Sequence, residues 1–197
     1  MYLADSLGFL NLQGQPPVAD PNLGLNLIHV TSAPPIDFRS NTGQALTLGE
    51  TLAVHGQFRA AIEHQEQLRV VLGRQDLEGE GIGVVFGLQN TPSDLDESGV
   101  HQLYEAGIRI LAIAYQGKNR FGGGFLEPHV PMSREGYRLI KWCKDVGMII
   151  DLSHAGHHTA LCALDALSKS DSAAVMASHS GCFDLYDYDR NVQLRVM

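Results

Sequence analysis

Cysteine, basic charge and long apolar runs are all scarce in this 197-residue chain, and each scarcity removes a class of protein. Cys143, Cys162 and Cys182 are odd in number and show no Cys-x-x-Cys spacing, so they read as reduced thiols rather than a disulfide frame or a thiolate zinc site. Lysine and arginine total 14 against 22 acidic residues, a formal charge of −8, which speaks against a nucleic-acid partner. The longest apolar stretch, residues 108–115, contains Arg109 and falls well short of the roughly 20 residues that cross a bilayer. No basic segment followed by an apolar run opens the sequence, so no secretory leader is expected. The resulting expectation is a soluble, cytoplasmic chain without a membrane segment. Two catalytic motifs are missing as well. Gly117-Lys118 lacks the following Ser or Thr and the upstream glycine of a phosphate loop. His179-Ser180-Gly181 lacks the Gly-x-Ser-x-Gly elbow of serine hydrolases.

What is present is ordinary globular material: 44% hydrophobic and 18% charged residues, enough for one domain or two small ones. The first 45 residues are rich in Gly, Pro, Asn and Gln, with Pro16-Pro17 and Pro34-Pro35 as turn signals and residues 23–30 as a short strand. Residues 48–72 read as a helix, because Leu52, Phe58, Ala61, Ile62, Leu68 and Val71 recur at helical spacing. A regular alternation follows. Strands are predicted at 81–88, 108–114, 148–152 and 173–177. Helices are predicted at 93–106 (capped by Ser93 or Asp94, with Gly107 past its end), 133–146 and 157–167.

Strand and helix alternating in this way are the signature of parallel βα units. Each predicted strand ends on functional residue types: Gln89-Asn90, Tyr115-Gln116, Asp151 with Ser153-His154, and Ser178-His179-Ser180. Barrel enzymes spread their chemistry over many strand ends, whereas open sheets concentrate it at a switch point, so a barrel is favoured. Four strands, five with the early one, place the later barrel units outside this chain.

His154 and His179 each follow directly on an apolar strand, one βα repeat apart. Neighbouring strands lie about 4.8 Å apart, so imidazoles at equivalent ends can converge on one ion. Two hydrogen-bonded rim histidines are the equally open reading. Asp151, Ser178 and Ser180 are near enough in sequence to orient the rings. His157 and His158, on the next helix, read as exposed residues rather than ligands. Gln89 reads as a structural amide at its strand end. Tyr115 either donates to a carbonyl or oxyanion or packs as a rim tyrosine.

These residues carry a resemblance. From about residue 81 to 192 the chain is similar to the membrane dipeptidase (renal dipeptidase) family of zinc peptidases, especially its bacterial members. The matching stretches are AIAYQGKNRFGGG (112–124), GMIIDLSHAG (147–156), ASHSGC (177–182) and Arg190-Asn191-Val192. The resemblance implies an α/β fold, part of a TIM (β/α)8 barrel of the metal-dependent hydrolase type. It divides the chain into a poorly matched segment at 1–80, turn-rich and then helical, and the central βα units at 81–197. It also implies two zinc ions, a dipeptide or other small-molecule substrate, and attack on the peptide carbonyl by a metal-bound hydroxide. His154 and His179 fall on two histidine ligands of one zinc. Arg190 falls on the arginine that pairs with the substrate's terminal carboxylate. Tyr115 falls where members carry a catalytic histidine or tyrosine, and Asn119 belongs to the same loop motif and is assigned with Arg190 to substrate binding.

Three departures accompany the match. No His-x-Asp pair precedes Gly81; His29-Val30-Thr31 is the nearest candidate and lacks the acid. Gln89 stands at the position of the glutamate that bridges both metals, and an amide offers one neutral oxygen and an NH2 where a carboxylate offers two anionic oxygens. The late catalytic aspartate lies beyond the strands counted. The expectation is therefore a dipeptidase-like metallohydrolase holding at most one zinc, between His154, His179 and Gln89. The alternative is a catalytically dead homologue acting as a ligand-binding module or gene fragment. An open barrel edge implies an oligomer that covers it.

Overall fold

Apolar, β-branched runs bounded by glycine or polar turns become parallel strands in the computed structural model, which describes residues 4–8, 24–32, 45–168 and 174–191. The strands are β1 (Ala4–Gly8), β2 (Leu27–Thr31), β3 (Leu68–Val70), β4 (Ile82–Leu88), β5 (Ile108–Ala112), β6 (Ile149–Asp151) and β7 (Val175–Met176). The helices are α1 (Leu48–Glu63), α2 (Glu97–Ala106), α3 (Arg134–Val146) and α4 (His157–Ser168). The predicted turns at Pro16-Pro17 and Pro34-Pro35, together with Leu23, Ala173 and Val192, lie outside the described residues. No described helix is long and apolar enough to cross a membrane.

The strand order β1-β2-β4-β5-β6-β7 follows the chain, and every pairing is parallel. β4 is central: β2 runs along one edge, while β3 takes the first half of the other (Leu68 opposite Ile82) and β5 the second (Ile110 opposite Gly87). The six strands of the main order curl into a half-barrel. The curl is deep enough for Ser6 of β1 to donate its hydroxyl to the carbonyl of Ser178, just past β7, at 2.6 Å.

Alternation along each strand divides two environments. Val84, Phe86 and Leu88 of β4 are buried towards the helices, where His55 of α1 meets the Phe86 ring edge-on at 4.8 Å. Gly87 and Gln89 take the opposite, inner face. The helices close the outer layer with Phe58 and Ile62, Val100 and Leu103, Leu139 and Cys143, and Ala163 and Leu167. Burial of such side chains contributes roughly 1.5–3 kcal/mol for each large one. Burial also pushes the Cys143 thiol up to about 12, so it is an inert core residue.

Two helix boundaries move by several residues. The helix expected to run to residue 72 stops at Glu63, capped by His64, and residues 68–70 form β3. Helical spacing of Leu68 and Val71 fits both states, but pairing with β4 satisfies backbone groups that an exposed helix end would leave to water. Arg69 then pins the following turn through the carbonyls of Asp76, Leu77 and Gly81. The helix expected from Ser93 begins at Glu97, and its cap is Asp96, which accepts from Gly99 N at 2.8 Å. Asp94 instead accepts from the first backbone N–H of α1, at 2.6 Å, tying two helix starts together. Gly107 and Gly147 end α2 and α3 with φ of 107° and 82°, as their positions predict.

Candidate ligand site at the strand ends

The residues after β6 and β7 meet at the mouth of the half-barrel. His154 adopts φ 67°, a left-handed conformation unusual for a side-chain-bearing residue, and this turns its imidazole inward. Its Nε2 lies 2.8 Å from Nε2 of His179. Tyr115 lays its ring against His154, centroids 4.1 Å apart. Arg190 donates from Nη2 to the His179 carbonyl at 2.9 Å, bringing its guanidinium to the same place.

Hydrogen-bond accounting fixes which ring nitrogens carry protons. Asp151, at the end of β6, accepts from the backbone N–H groups of Ser153 (2.9 Å) and Ser178 (3.1 Å) and from the Ser178 hydroxyl. That uses the one hydroxyl proton of Ser178, so its oxygen accepts from Nδ1–H of His179 at 2.7 Å. Nε2 of His179 is then left with a lone pair, and His154 donates Nε2–H to it. Nδ1 of His154 carries the remaining lone pair, buried and without a partner.

Both rings are held neutral. Burial, followed by the nearby Arg190 charge, pushes His154 down to about 2 and His179 to about 4. Burial also raises the Tyr115 phenol and lowers Arg190, whose Nη1 is buried and unpartnered.

Of the six predicted site residues, His154, His179, Tyr115 and Arg190 come together. Gln89 lies on the inner face just past β4, 6% exposed, with its Nε2 unpartnered. Asn119 is committed to its loop: Nδ2 donates to the Ile113 carbonyl, and Oδ1 accepts from Phe121 and Gly122 N–H. His157, expected to be exposed, is buried, with Nε2 at 3.1 Å from the Asn191 carbonyl and its ring edge-on to Phe183, because the chain after β7 folds back over the start of α4. His158 is exposed as expected.

The inner face holds two residues that sequence reasoning saw only as a failed His-x-Asp pair. His29 and Thr31 of β2 are buried, at 5% and 2% exposure, and their Nε2 and Oγ1 have no partner. A bulge between Asp5 and Gly8 frees the Ser6 carbonyl from the ladder, and it accepts from Nδ1–H of His29 at 2.8 Å. Alternation with Ile28 and Val30 puts His29 and Thr31 on one face of β2, but only the pairing with β4 turns that face inward.

A two-zinc centre does not fit these donors. Among the described residues no group of three or more His, Cys, Asp or Glu is gathered to hold an ion. His179 is prepared as a ligand by its Ser178–Asp151 support, but His154 would have to move its proton to Nδ1, where no acceptor stands. Gln89 contributes only a neutral amide.

The geometry invites comparison with known proteins. The family model for membrane dipeptidase (peptidase family M19) matches residues 32–197. Dipeptidase verJ of Clonostachys rogersoniana is 30% identical over 117 residues, which is 56% of this chain and 28% of that protein. An uncharacterised dipeptidase of Schizosaccharomyces pombe is 29% identical over 120 residues, 57% of this chain and 27% of its own. Among solved structures, the probable dipeptidase PvdM of Pseudomonas aeruginosa superposes with a TM-score of 0.74 at 18% identity, covering all of this chain and 56% of that one. A Rhodobacter sphaeroides metallopeptidase, solved with a phosphinate mimic of the dipeptide L-Ala-D-Ala, gives 0.74 at 14% identity, with 70% of its chain covered. The matched stretch thus covers little more than a quarter of these curated relatives, and the chain covers just over half of PvdM. With the half-barrel, the strand-end histidines and a family match over most of its length, the chain belongs to the membrane dipeptidase family, peptidase family M19.

Proposed function

We propose that this chain binds a small carboxylate-bearing molecule of the dipeptide type at its strand ends and does not hydrolyse it. One observation supports this reading above the others: the strand end that would bridge two metals carries Gln89, a neutral amide. Two cations that share one water need an anionic bridge between them, because a carboxylate offers an oxygen to each and offsets their repulsion. Here the donors are two imidazoles and an amide, suited to at most one ion. Arg190 keeps an unpartnered Nη1 beside the histidines, and a guanidinium fork is well matched to a carboxylate.

The competing reading is a hydrolase that uses one zinc held by His154, His179 and Gln89. Calorimetric titration with zinc, repeated on His154→Ala, together with a dipeptide hydrolysis assay in excess zinc, separates the two. Binding of a dipeptide with no turnover, and one ion or none, is the expected result. Two tightly bound ions with turnover would sink the proposal.

A further inference from the structure

The inner face between β2 and β4 holds three buried polar groups that the histidine pair does not use. Nε2 of His29, Oγ1 of Thr31 and Nε2 of Gln89 are all unpartnered, on residues no more than 6% exposed. Register brings them together. Thr31 lies opposite Gly87, and Gln89 follows on the same face two residues on, about 6.6 Å along the strand. The His29 ring reaches over Gly87, where its Nε2 sits only 2.1 Å from the place a Cβ would occupy. Glycine at 87 is thus what admits the ring.

The three groups differ in hydrogen-bonding sense. His29 donates Nδ1–H to the Ser6 carbonyl, so its Nε2 is an acceptor. Gln89 offers NH2 donors, and Thr31 does either. Burial lowers the His29 pKa, so the ring stays a neutral acceptor at neutral pH. Leaving such groups buried and unmatched costs roughly 1–3 kcal/mol each, which a polar occupant recovers. A charged group finds no counter-ion among these three. A planar amide offers one donor and one acceptor on opposite edges, matching His29 and Gln89.

We infer that His29, Thr31 and Gln89 form a subsite for the intact amide of the ligand, with His29 reading its N–H. This rests on the proposed binding of a carboxylate-bearing ligand beside Arg190. It assigns the β2 side of the mouth the specificity for an N-acylated amino acid over an ester of the same shape.

The test uses two probes, N-acetylglycine and its ester analogue acetoxyacetate, titrated calorimetrically into the full chain. The amide should bind at least tenfold more tightly, because the ester leaves the His29 acceptor unpaired. His29→Phe should reduce that preference to near unity, and Thr31→Val should weaken the amide several-fold, with circular dichroism confirming that each variant folds. Equal binding of both probes by the unmodified chain, or a preference surviving His29→Phe, overturns the subsite while leaving the carboxylate reading intact. Binding of neither probe removes that reading and the subsite with it.

Discussion

The two sides of the half-barrel mouth treat buried polar groups in opposite ways. On the β6–β7 side, Asp151, Ser178 and His179 form a chain in which each proton has an acceptor, and the chain sets a tautomer. On the β2–β4 side, His29, Thr31 and Gln89 are as deeply buried yet keep one unmatched atom each. A satisfied network stabilises the fold and preorganises a ring, whereas an unsatisfied one stores a cost that a ligand can relieve. The difference teaches where rigidity and where affinity reside. The Asp151–Ser178–His179 chain holds geometry, whereas the β2–β4 groups, like Nδ1 of His154 and Nη1 of Arg190 at the opposite rim, wait for a partner.

The largest way to break this contrast is Asp151→Asn. The amide would present an NH2 to Ser178, whose hydroxyl proton would then turn to Nδ1 of His179 and move the ring proton to Nε2. With three hydrogen bonds to a buried acceptor weakened, stability should fall by about 3 kcal/mol or more. Chemical denaturation checks the loss, and nitrogen chemical shifts of the labelled imidazoles report the tautomer. Unchanged His179 shifts would refute the relay. On the other side, Gly87→Ala drives a methyl into His29, at 2.1 Å, and against Ile110 Cβ at 3.0 Å. A cost of roughly 1–3 kcal/mol is expected from such overpacking. Combining it with His29→Ala should restore part of that loss, and strict additivity of the two changes would show that the ring is not what Gly87 accommodates.

How much of this was written in the sequence follows the same division. The β4 to β7 repeat, the glycine caps at Gly107 and Gly147, and the meeting of His154 with His179 were legible because each rests on local pattern: an apolar run, then a polar strand end. β3 was not, since Leu68 and Val71 satisfy helical spacing and only the edge of β4 decides otherwise. Asp96 rather than Ser93 or Asp94 caps α2, since Asp94 is taken up by the start of α1 and Leu95 is buried between them. The roles of His29 and Thr31 depend on which face of β2 turns inward, and that is set by a register with β4 more than 50 residues away. The proton order among Asp151, Ser178 and His179 exists only once two strands pair.

Acid should sharpen the comparison next. The folded pKa of His154, about 2, lies below its ordinary value of 6.5, mainly through burial. Unfolded chains take up a proton below pH 6.5 that the folded ring refuses, so this contribution to stability is full above 6.5 and is lost as pH falls. The slope approaches 1.4 kcal/mol per pH unit at most, reduced where water reaches the ring. Denaturation midpoints of the metal-free chain measured between pH 7 and 5 should therefore decline. His154→Gln should flatten the decline, although His179, His29 and His55, all lowered by burial, will keep some of it.

The smallest expected effect isolates the backbone beneath the histidine pair. At φ 67° a Cβ is disfavoured by roughly 1 kcal/mol, and His154 bears that strain to hold its ring against Tyr115 and His179. Replacing it with alanine removes the ring and keeps the strain; replacing it with glycine removes both. His154→Gly should therefore be the more stable of the two by up to about 0.5 kcal/mol once glycine's greater unfolded freedom is counted. Equal denaturation midpoints would mean that the turn after β6 relaxes once the ring is gone. The conformation would then be imposed by the His154–His179 contact rather than by the loop that carries it.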